Sequence, residues 1–528
     1  MFVLQMLLVQ NLIAVKMKKT LLILSAALLI GACSRQTTEE YTLPANAEAG
    51  KIYDLSSYEE EGTGRLISEG TLVVAENLEL KDSRLIALPV KVYKSFNPDP
   101  GEPVFWLTGG PGGSNLTYWP PDEVLEQRDV VMIGYRGVDG STVLDCPDFL
   151  DGVFDHNFFS PEALAQMQKN LAVRQEYWKE QGIDVSCYTM SDVIDDMESA
   201  RLALNYDRIN LLSVSYGTRL AQIFSYRYPE TVKRSIMVSV NPPGRFVWDP
   251  ETIDRQIEQY SDLWAQDSVY SKKKDDLASC VKRVTHNMPE RWLFFKIDPD
   301  RVRFATFMGL YHTDGAGSVF DTFVAADNGD ASGLALVSVM GKFQLKSMFT
   351  TWGDLIGKSF ADYDPSVDYS EKMKLNNHII GSPGSQLFAI SGAWDIETKD
   401  TLYKKPLYTD VQTLMLSGNL DLSTPAEYAT EELLPYLNNG KQYILSNYGH
   451  VADIMYRQHE AFVRAISSYY ATGEADMSGY EQQEVDFTPV RSFPQLAKIA
   501  LSVVVGVLLL ITGIVFLIRF LVRRRKKS

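Results

Sequence analysis

The sequence is poor in the residues that bind metal ions. Its 528 residues include only four cysteines and six histidines, and these do not cluster at the spacing of metal ligands. The sequence also has no Gly-x-x-x-x-Gly-Lys loop for nucleotide phosphates, no basic patch for nucleic acid, and no internal repeat or low-complexity tract. These absences argue against zinc modules, P-loop nucleotide hydrolases and repeat arrays. We therefore expect neither a metal ion nor an organic cofactor.

Positive charge is concentrated at the two ends of the chain. The formal net charge is −16, and residues 1–33 and 499–528 carry nine basic residues and no acidic one, which leaves residues 34–498 at −25. Such an acidic body disfavours nucleic acid and anionic membrane surfaces as partners. An apolar content of 45% is enough for a large core, and one enzyme domain carrying an insertion fits this length.

The N-terminal region predicts export from the cytoplasm. Lys18 and Lys19 precede an apolar run over 21–30, and Gly31-Ala32-Cys33 follows. This is the pattern of a signal segment over 1–33, and its last four residues are similar to a bacterial lipobox, in which Cys33 is lipidated and becomes the mature N-terminus. Met17 would make a conventional start. The alternative is an ordinary cleaved signal with a cysteine there by chance.

The C-terminal region predicts a membrane anchor. Residues 499–518 form an uncharged apolar run, long enough to span a bilayer, and a basic tail over 519–528 follows it. Because positive residues stay on the cytoplasmic side, we expect the body of the protein to lie outside the cytoplasm. The predicted location is the cytoplasmic membrane of a bacterial cell envelope, with a periplasmic or extracellular body.

One short segment predicts a nucleophilic serine. The apolar strand 209–214 runs into Ser215, Tyr216 and Gly217, and a helical pattern follows. This is the nucleophile elbow, a sharp strand-to-helix turn that exposes a serine hydroxyl. Its crowding requires small residues two positions before and two after the serine, and Ser213 and Gly217 supply them. The alternative is a serine-rich turn without chemistry.

A second segment predicts donors for an oxyanion. The apolar strand 104–108 ends in the loop 109–114, which holds four glycines around a proline. Such a loop lets backbone N–H groups approach a ligand closely. We expect one oxyanion donor from Gly110 and the other from the residue after the nucleophile, Tyr216.

Two further strand ends supply the remaining groups of a triad. Asp421 follows the apolar strand 412–417, and His450 follows the strand 442–446. The chain order Ser215, Asp421, His450 is that of an α/β hydrolase. We therefore predict an α/β fold with a mostly parallel central sheet, a helical cap inserted before the strand that bears Asp421, and a C-terminal transmembrane helix.

These motifs together resemble the proline iminopeptidase and tripeptidyl aminopeptidase branch of the α/β hydrolases. The segments that carry the resemblance are 109–113, 134–141, 209–220, 241–243, 418–425 and 449–450. Segment 134–141 departs from the family pattern Asp-x-Arg-Gly-x-Gly-x-Ser, because Gly134 replaces the aspartate and Asp139 the second glycine. The resemblance implies an aminopeptidase that acts on peptides with a free N-terminus.

The resemblance also bears on the cysteines. Cys146 and Cys187 flank the segment before the elbow, and cysteines occur at matching places in secreted relatives of this family. In an oxidising compartment such residues form disulfides. The resemblance therefore implies a Cys146–Cys187 disulfide and leaves Cys280 as a buried free thiol.

The pattern of strands, helices and linkers divides the chain into eight predicted segments. In order they are a signal segment, an N-terminal stalk with strands, the first part of the core, a helical cap, the second part of the core, a tether, a transmembrane helix and a basic tail. Their predicted bounds are 1–33, 34–84, 85–245, 246–405, 406–472, 473–498, 499–518 and 519–528.

Three functions remain open from the sequence: an aminopeptidase, an esterase or amidase for small molecules, and a catalytically silent binding protein. An intact triad argues against the third. An aminopeptidase needs a carboxylate for the substrate ammonium, whereas an esterase pocket is mainly apolar. The cap offers several candidate carboxylates, including Glu251, Asp254, Glu258, Asp262, Asp275 and Asp276. Asp453, the other acid near His450, is expected to point away from it.

Overall fold

A nine-stranded sheet forms the centre of the molecule. The computed structural model describes residues 41–348 and 350–525. Its strands, in chain order, are β1 (Lys51–Glu59), β2 (Leu66–Ala75), β3 (Leu85–Tyr93), β4 (Gly101–Leu107), β5 (Arg128–Ile133), β6 (Ile209–Val214), β7 (Val232–Val238), β8 (Arg291–Trp292), β9 (Phe295–Lys296), β10 (Gln412–Gly418) and β11 (Gly440–Leu445). The order in the sheet is β1-β2-β3-β5-β4-β6-β7-β10-β11, and β8 pairs only with β9.

The sheet is parallel where the predicted catalytic residues lie. β5, β4, β6, β7, β10 and β11 pair in parallel, and β1, β2 and β3 add an antiparallel edge. Alternate residues of β4 face opposite sides, since Val104 and Trp106 belong to one apolar cluster and Phe105 and Leu107 to another. All residues of β6 are buried. Parallel strands covered on both faces require this composition.

Helices cover both faces of the sheet and build the insertion. In chain order they are α1 (Asp122–Leu125), α2 (Pro161–Glu180), α3 (Met190–Ala203), α4 (Gly217–Arg227), α5 (Pro250–Gln266), α6 (Leu277–His286), α7 (Pro299–Gly309), α8 (Ala316–Asp327), α9 (Ser332–Met348), α10 (Trp352–Ser359), α11 (Tyr369–Met373), α12 (Gln386–Ser391), α13 (Ala426–Tyr428), α14 (Ala452–Tyr456), α15 (His459–Thr472) and α16 (Phe493–Arg525).

Some helices pack against the sheet, and others build the insertion. α3 and α4 cover one face of the sheet and α15 the other. Helices α5 to α12 and the β8–β9 hairpin lie between β7 and β10 in the chain, and α5 to α9 share an apolar cluster of their own. This is the cap that the sequence predicts, inserted before the strand that ends at Asp421. The residue bounds of the eight predicted segments stay a prediction.

The last helix has the properties of a membrane span. α16 contains the predicted span 499–518. The most apolar 18-residue stretch of this helix is not buried against the rest of the protein. Its length and composition are sufficient to cross a bilayer. The predicted signal segment, including Cys33, lies outside the described residues.

The predicted Cys146–Cys187 disulfide is not formed. Both residues are buried free thiols, as is Cys280. Cys146 and Cys187 belong to one apolar cluster, where a thiol packs as a small apolar side chain. The Sγ of Cys187 lies 3.4 Å from the carboxylate of Asp184, which gives this thiol a local acceptor. The pairing that the resemblance implied is therefore a wrong prediction for this structure.

Candidate active site

A sharp turn after β6 presents Ser215. Ser215 has φ = 51°, a left-handed conformation that is uncommon for a residue with a side chain. α4 begins at once with Gly217, where a Cβ would lie 2.1 Å from the carbonyl oxygen of Leu107, so only glycine fits. Ser213 is buried, and its hydroxyl donates to the carbonyl of Ile236 at 3.0 Å. The segment therefore has the geometry of a nucleophile elbow.

Three side chains from three strand ends meet at this turn. The Nε2 of His450 lies 3.0 Å from the Oγ of Ser215. Its Nδ1 lies 2.8 Å from Oδ2 and 3.0 Å from Oδ1 of Asp421. Asp421 is fully buried and His450 is 7% exposed. The structure thus brings together all three residues that the sequence singled out.

Asp421 is oriented by the residues that follow it. Its Oδ1 accepts hydrogen bonds from the backbone N–H groups of Ser423 and Thr424, at 2.9 and 2.8 Å. The Thr424 hydroxyl donates to Oδ2 at 2.8 Å. Thr424 lies in the segment 418–425 that carries the family resemblance, but the sequence pattern was not used to assign it a role. A threonine three residues after an aspartate at a strand end is a signal for this side-chain-to-backbone turn.

The glycine loop after β4 lies against Ser215. A Cβ on Gly109 would lie 3.0 Å from that of Ser215, so the loop passes close to the Ser215 side chain. Within the described residues, the backbone N–H groups of Gly110 and Tyr216 donate no hydrogen bond to the protein. Both N–H groups are therefore available to a ligand oxygen, as an oxyanion hole requires.

A cap helix holds this loop from above. The Thr351 hydroxyl donates to the Gly112 carbonyl at 2.6 Å, and the Gly112 N–H donates to Asp354 at 3.1 Å. Asp354 pairs with Lys358 at 2.5 Å, with both side chains fully buried. Burial raises the pKa of Asp354, although Lys358 and the Gly112 N–H oppose this shift. No local sequence pattern predicts these contacts, because they join segments about 240 residues apart.

Segment 134–141, which departs from the family pattern, is held in place by hydrogen bonds of its side chains. The Asp139 carboxylate accepts from the backbone N–H of Tyr135 at 2.9 Å and of Asn115 at 3.2 Å. Gly134 is required beside it, since a Cβ there would lie 2.6 Å from that of Asp139. Arg136 is fully buried and forms two 2.6 Å hydrogen bonds to Asp196. The absence of a Cβ at Gly134 leaves room for the Asp139 side chain, so the two departures from the family pattern compensate each other. Arg136 has a structural role, because it forms a buried pair with Asp196.

Ser215 and His450 line a cavity of about 440 Å³ between the sheet and the cap. Its wall is mainly aromatic and aliphatic, and the large apolar side chains are Phe158, Phe246, Trp248, Phe304, Met308, Tyr311, Leu345, Trp352, Leu355 and Phe388. Among the described residues, no carboxylate, lysine or arginine lines it. The cavity therefore suits an apolar group next to a reacting carbonyl.

None of the six candidate anchor carboxylates lines this cavity. Asp254 instead lies 2.8 Å from the ring of His378, and Glu251 lies 3.8 Å from the same ring. Asp276 caps α6 by accepting from the backbone N–H of Ser279 at 2.9 Å. These carboxylates belong to the cap's own structure.

A second histidine lies at the edge of the cavity. The Nδ1 of His312 is 3.4 Å from Asp453, and this contact raises the pKa of His312. Burial alone would raise the pKa of Asp453, but hydrogen bonds from His312, Thr313 and Gly449 lower it. Asp453 is thus engaged away from His450, as the sequence predicts.

Comparison with known proteins gives a partial match to peptidases. Two tripeptidyl aminopeptidases, from Streptomyces lividans and Streptomyces coelicolor, are each 29% identical to this chain over 167 residues. The match covers 28% of this chain and 30% of each relative, so the chain spans less than a third of the length of these relatives.

Solved structures with similar folds include two hydrolases. An α/β hydrolase enzyme from a Medee basin deep-sea metagenome library has a TM-score of 0.35 and 11% identity, covering 74% of this chain and 96% of that chain. A thermophilic esterase from Thermogutta terrifontis has a TM-score of 0.33 and 15% identity, covering 77% and 99%.

The family assignment rests on a broader match. A family model described as the alpha/beta hydrolase fold matches residues 102–452, which is more than half of the chain. The matched region begins in β4 and ends just after His450, and the observed mostly parallel sheet confirms the predicted fold class. The chain therefore belongs to the α/β hydrolase fold family.

Proposed function

We propose that this protein is a serine hydrolase that cleaves an ester or amide bond through Ser215, His450 and Asp421. The observation that carries the proposal is the continuous contact from Ser215 Oγ to His450 Nε2, at 3.0 Å, and from His450 Nδ1 to Asp421, at 2.8 Å. A nucleophile, a base and a group that orients the base are the elements of this chemistry.

The geometry supports acyl transfer to water. His450 takes the Ser215 proton as Oγ attacks the substrate carbonyl carbon, and Asp421 stabilises the resulting imidazolium. The N–H groups of Gly110 and Tyr216 donate to the oxyanion, at about 3–4 kcal/mol per donor in comparable enzymes. His450 then protonates the leaving alcohol or amine. In the second half of the reaction, His450 takes a proton from the water that attacks the acyl carbon. It then gives this proton to Ser215 as the acyl group leaves.

The cavity favours a substrate with an apolar group beside the scissile bond. Its wall is mainly aromatic and aliphatic, and no described carboxylate lines it to hold an ammonium group. An ester or amide with an apolar acyl group therefore fits this site best. Ser215→Ala should lower kcat by about 10⁴-fold or more. Ser213→Ala is the matched control, because Ser213 is buried and bonded to Ile236, and it should keep most activity.

An aminopeptidase is the second candidate, because the relatives that match over 167 residues are tripeptidyl aminopeptidases. The test compares one peptide amide that has a free N-terminus with its N-acetylated form. An aminopeptidase would lose turnover on acetylation, because the positive amine is part of what it recognises. Equal turnover of both forms, or cleavage of esters alone, would exclude this candidate.

The proposed location is the outer side of a bacterial cytoplasmic membrane, with α16 as an anchor and Cys33 as a lipidation site. Supporting it are the apolar span of α16 and the basic residues that follow it. Protease added to intact spheroplasts should digest the body between 34 and 498. A body protected until the membrane is disrupted would reverse the orientation.

A further inference from the structure

The base of the membrane helix is fixed to the cap. At the start of α16, the Ser492 hydroxyl donates to Asp321 of α8 at 2.8 Å, and Lys498 pairs with Asp330 at 2.6 Å. The Ser332 hydroxyl of α9 donates to the Pro494 carbonyl at 3.3 Å. The fit is close enough that a Cβ on Gly333 would lie 2.8 Å from the Pro494 ring.

The segment before α16 is also built into the cap. Phe487 is 2% exposed, and its ring centroid lies 5.1 Å from that of Trp264 and 6.2 Å from that of Phe320. The predicted tether 473–498 is thus packed along part of its length. The cap, and with it the site beneath, is therefore held at a set position relative to the helix that crosses the bilayer.

Two clefts lie between the base of α16 and the Ser215 cavity. One, of about 270 Å³, is lined by Met308 and Phe493, and the other, of about 860 Å³, by Met308, His312 and Phe493. Met308 and His312 also line the Ser215 cavity. Both clefts therefore adjoin the cavity at one wall and the first residue of α16 at another.

The chemistry of this path is that of an amphiphile. Met308, Met340 and Phe493 line both clefts and offer apolar contacts, and the cavity beyond them is apolar. The smaller cleft has no charged residue among its described lining residues. The larger cleft is also lined by the charged residues Asp314, Asp453, Arg457 and Arg491. Arg491 is exposed at the start of the membrane helix, where a cation suits a polar headgroup at the membrane surface. A water-soluble substrate would need no such apolar path.

We propose that the substrate is a membrane-resident amphiphile, and that its apolar chain reaches Ser215 from the bilayer end of the cap past Met308. This rests on the proposed hydrolase function. The ester or amide carbonyl of the amphiphile is the group that Ser215 attacks. The acyl chain occupies the apolar cavity, and the leaving alcohol or amine departs with the proton from His450.

The test uses the full chain reconstituted in phosphatidylcholine vesicles, with the acetyl and dodecanoyl esters of 4-nitrophenol as probes. The readout is the ratio of kcat/KM for the long ester to that for the short ester. Met340→Trp places a large ring in both clefts at an exposed position. We expect this variant to lower the ratio about tenfold. This is the effect of leaving about two methylene groups of the long acyl chain without apolar contact.

Leu407→Trp is the matched control, because Leu407 lines a cleft that shares no residue with the Ser215 cavity, and the ratio should be unchanged. Equal thermal melting of both variants shows that folding is intact. An unchanged ratio in Met340→Trp, or a wild-type ratio near one, overturns the amphiphile proposal alone. Failure of the wild type to cleave the long ester also overturns the amphiphile proposal alone, whereas cleavage that survives Ser215→Ala overturns the proposed hydrolase function of Ser215 itself.

Discussion

His312 shows how a residue beside the proposed site responds to pH. Its contact with Asp453, and more weakly the charge of Asp421, raise its pKa in the folded protein above the usual 6.5. The protonated form is therefore favoured by folding. This stabilisation is fully present below about pH 6.5 and is lost as the pH rises through the folded pKa.

His312→Gln should accordingly lower the melting temperature more at about pH 5 than at about pH 9. The effect should stay below about 1 kcal/mol, because the side chain is half exposed and its charge is screened. His459→Gln is the control, since His459 pairs with no carboxylate among the described residues. If the loss in melting temperature caused by His312→Gln grows with rising pH, the protonated form of His312 does not stabilise the fold.

The cysteines make a second prediction about single residues. Burial raises the pKa of the Cys146, Cys187 and Cys280 thiols to about 12, so their thiolates are scarce at neutral pH. Iodoacetamide should leave all three unmodified in the native protein. After denaturation without a reductant it should modify all three, as mass spectrometry can show. A non-reduced digest containing a Cys146–Cys187 linked peptide would contradict this.

Helix α10 acts on the proposed site through the glycine loop. The Thr351 hydroxyl donates to the Gly112 carbonyl at 2.6 Å, two residues from Gly110, the proposed oxyanion donor. Loss of this hydrogen bond by Thr351→Val, at about 1 kcal/mol, should lower kcat about fivefold. KM should change little, because Thr351 does not line the cavity.

Thr285→Val is the matched control for this prediction. Its hydroxyl makes a 2.8 Å hydrogen bond within α6, also buried in the cap, and has no contact with the loop. The control should leave kcat unchanged. A rise in KM with constant kcat in Thr351→Val would assign Thr351 to substrate binding instead of loop position.

Elements that depend on local sequence were predictable, and those that depend on contacts across the chain were not. Ser215, Asp421 and His450 each follow a short apolar strand, and the parallel sheet brings these strand ends to one edge. The Asp354–Lys358 pair and its contact with Gly112 could not be predicted, because no local sequence pattern indicates them. The Cys146–Cys187 pairing failed for a similar reason, because the chemistry of a thiol does not reveal its neighbours.

The residues that line the cavity also could not be predicted from the sequence. The cap has many carboxylates in its sequence, yet none of them lines the cavity at Ser215, whose wall is mainly apolar. Which face of a cap helix turns inward is decided by how the cap helices pack on one another, as with Asp254, which instead contacts His378. An expected ammonium anchor therefore has no support from the cavity lining.

At the scale of the whole molecule, the cap joins the proposed site to the membrane helix. Gly333→Ala should loosen this junction, because its Cβ would lie 2.8 Å from the Pro494 ring. Overpacking of this kind costs about 1–3 kcal/mol, so the junction should open about 5 to 150 times more often. Limited proteolysis within 473–498 should speed up accordingly.

Gly506→Ala is the control for the junction, because nothing lies within 4 Å of a Cβ at Gly506. It should leave the cleavage rate unchanged. Equal rates for both variants would show that α16 is not held by the cap. That outcome would also remove the structural basis for delivering a substrate from the bilayer.

The most direct test of the central claim is the site at which a fluorophosphonate labels the protein. This reagent captures a serine activated by a neighbouring histidine, and we propose that this serine is Ser215, whose Oγ lies 3.0 Å from the Nε2 of His450. Mass spectrometry should find the label on the peptide containing Ser215, in the wild type and in Ser213→Ala, and no label in Ser215→Ala. A label on another serine, or labelling that persists in Ser215→Ala, would contradict the account.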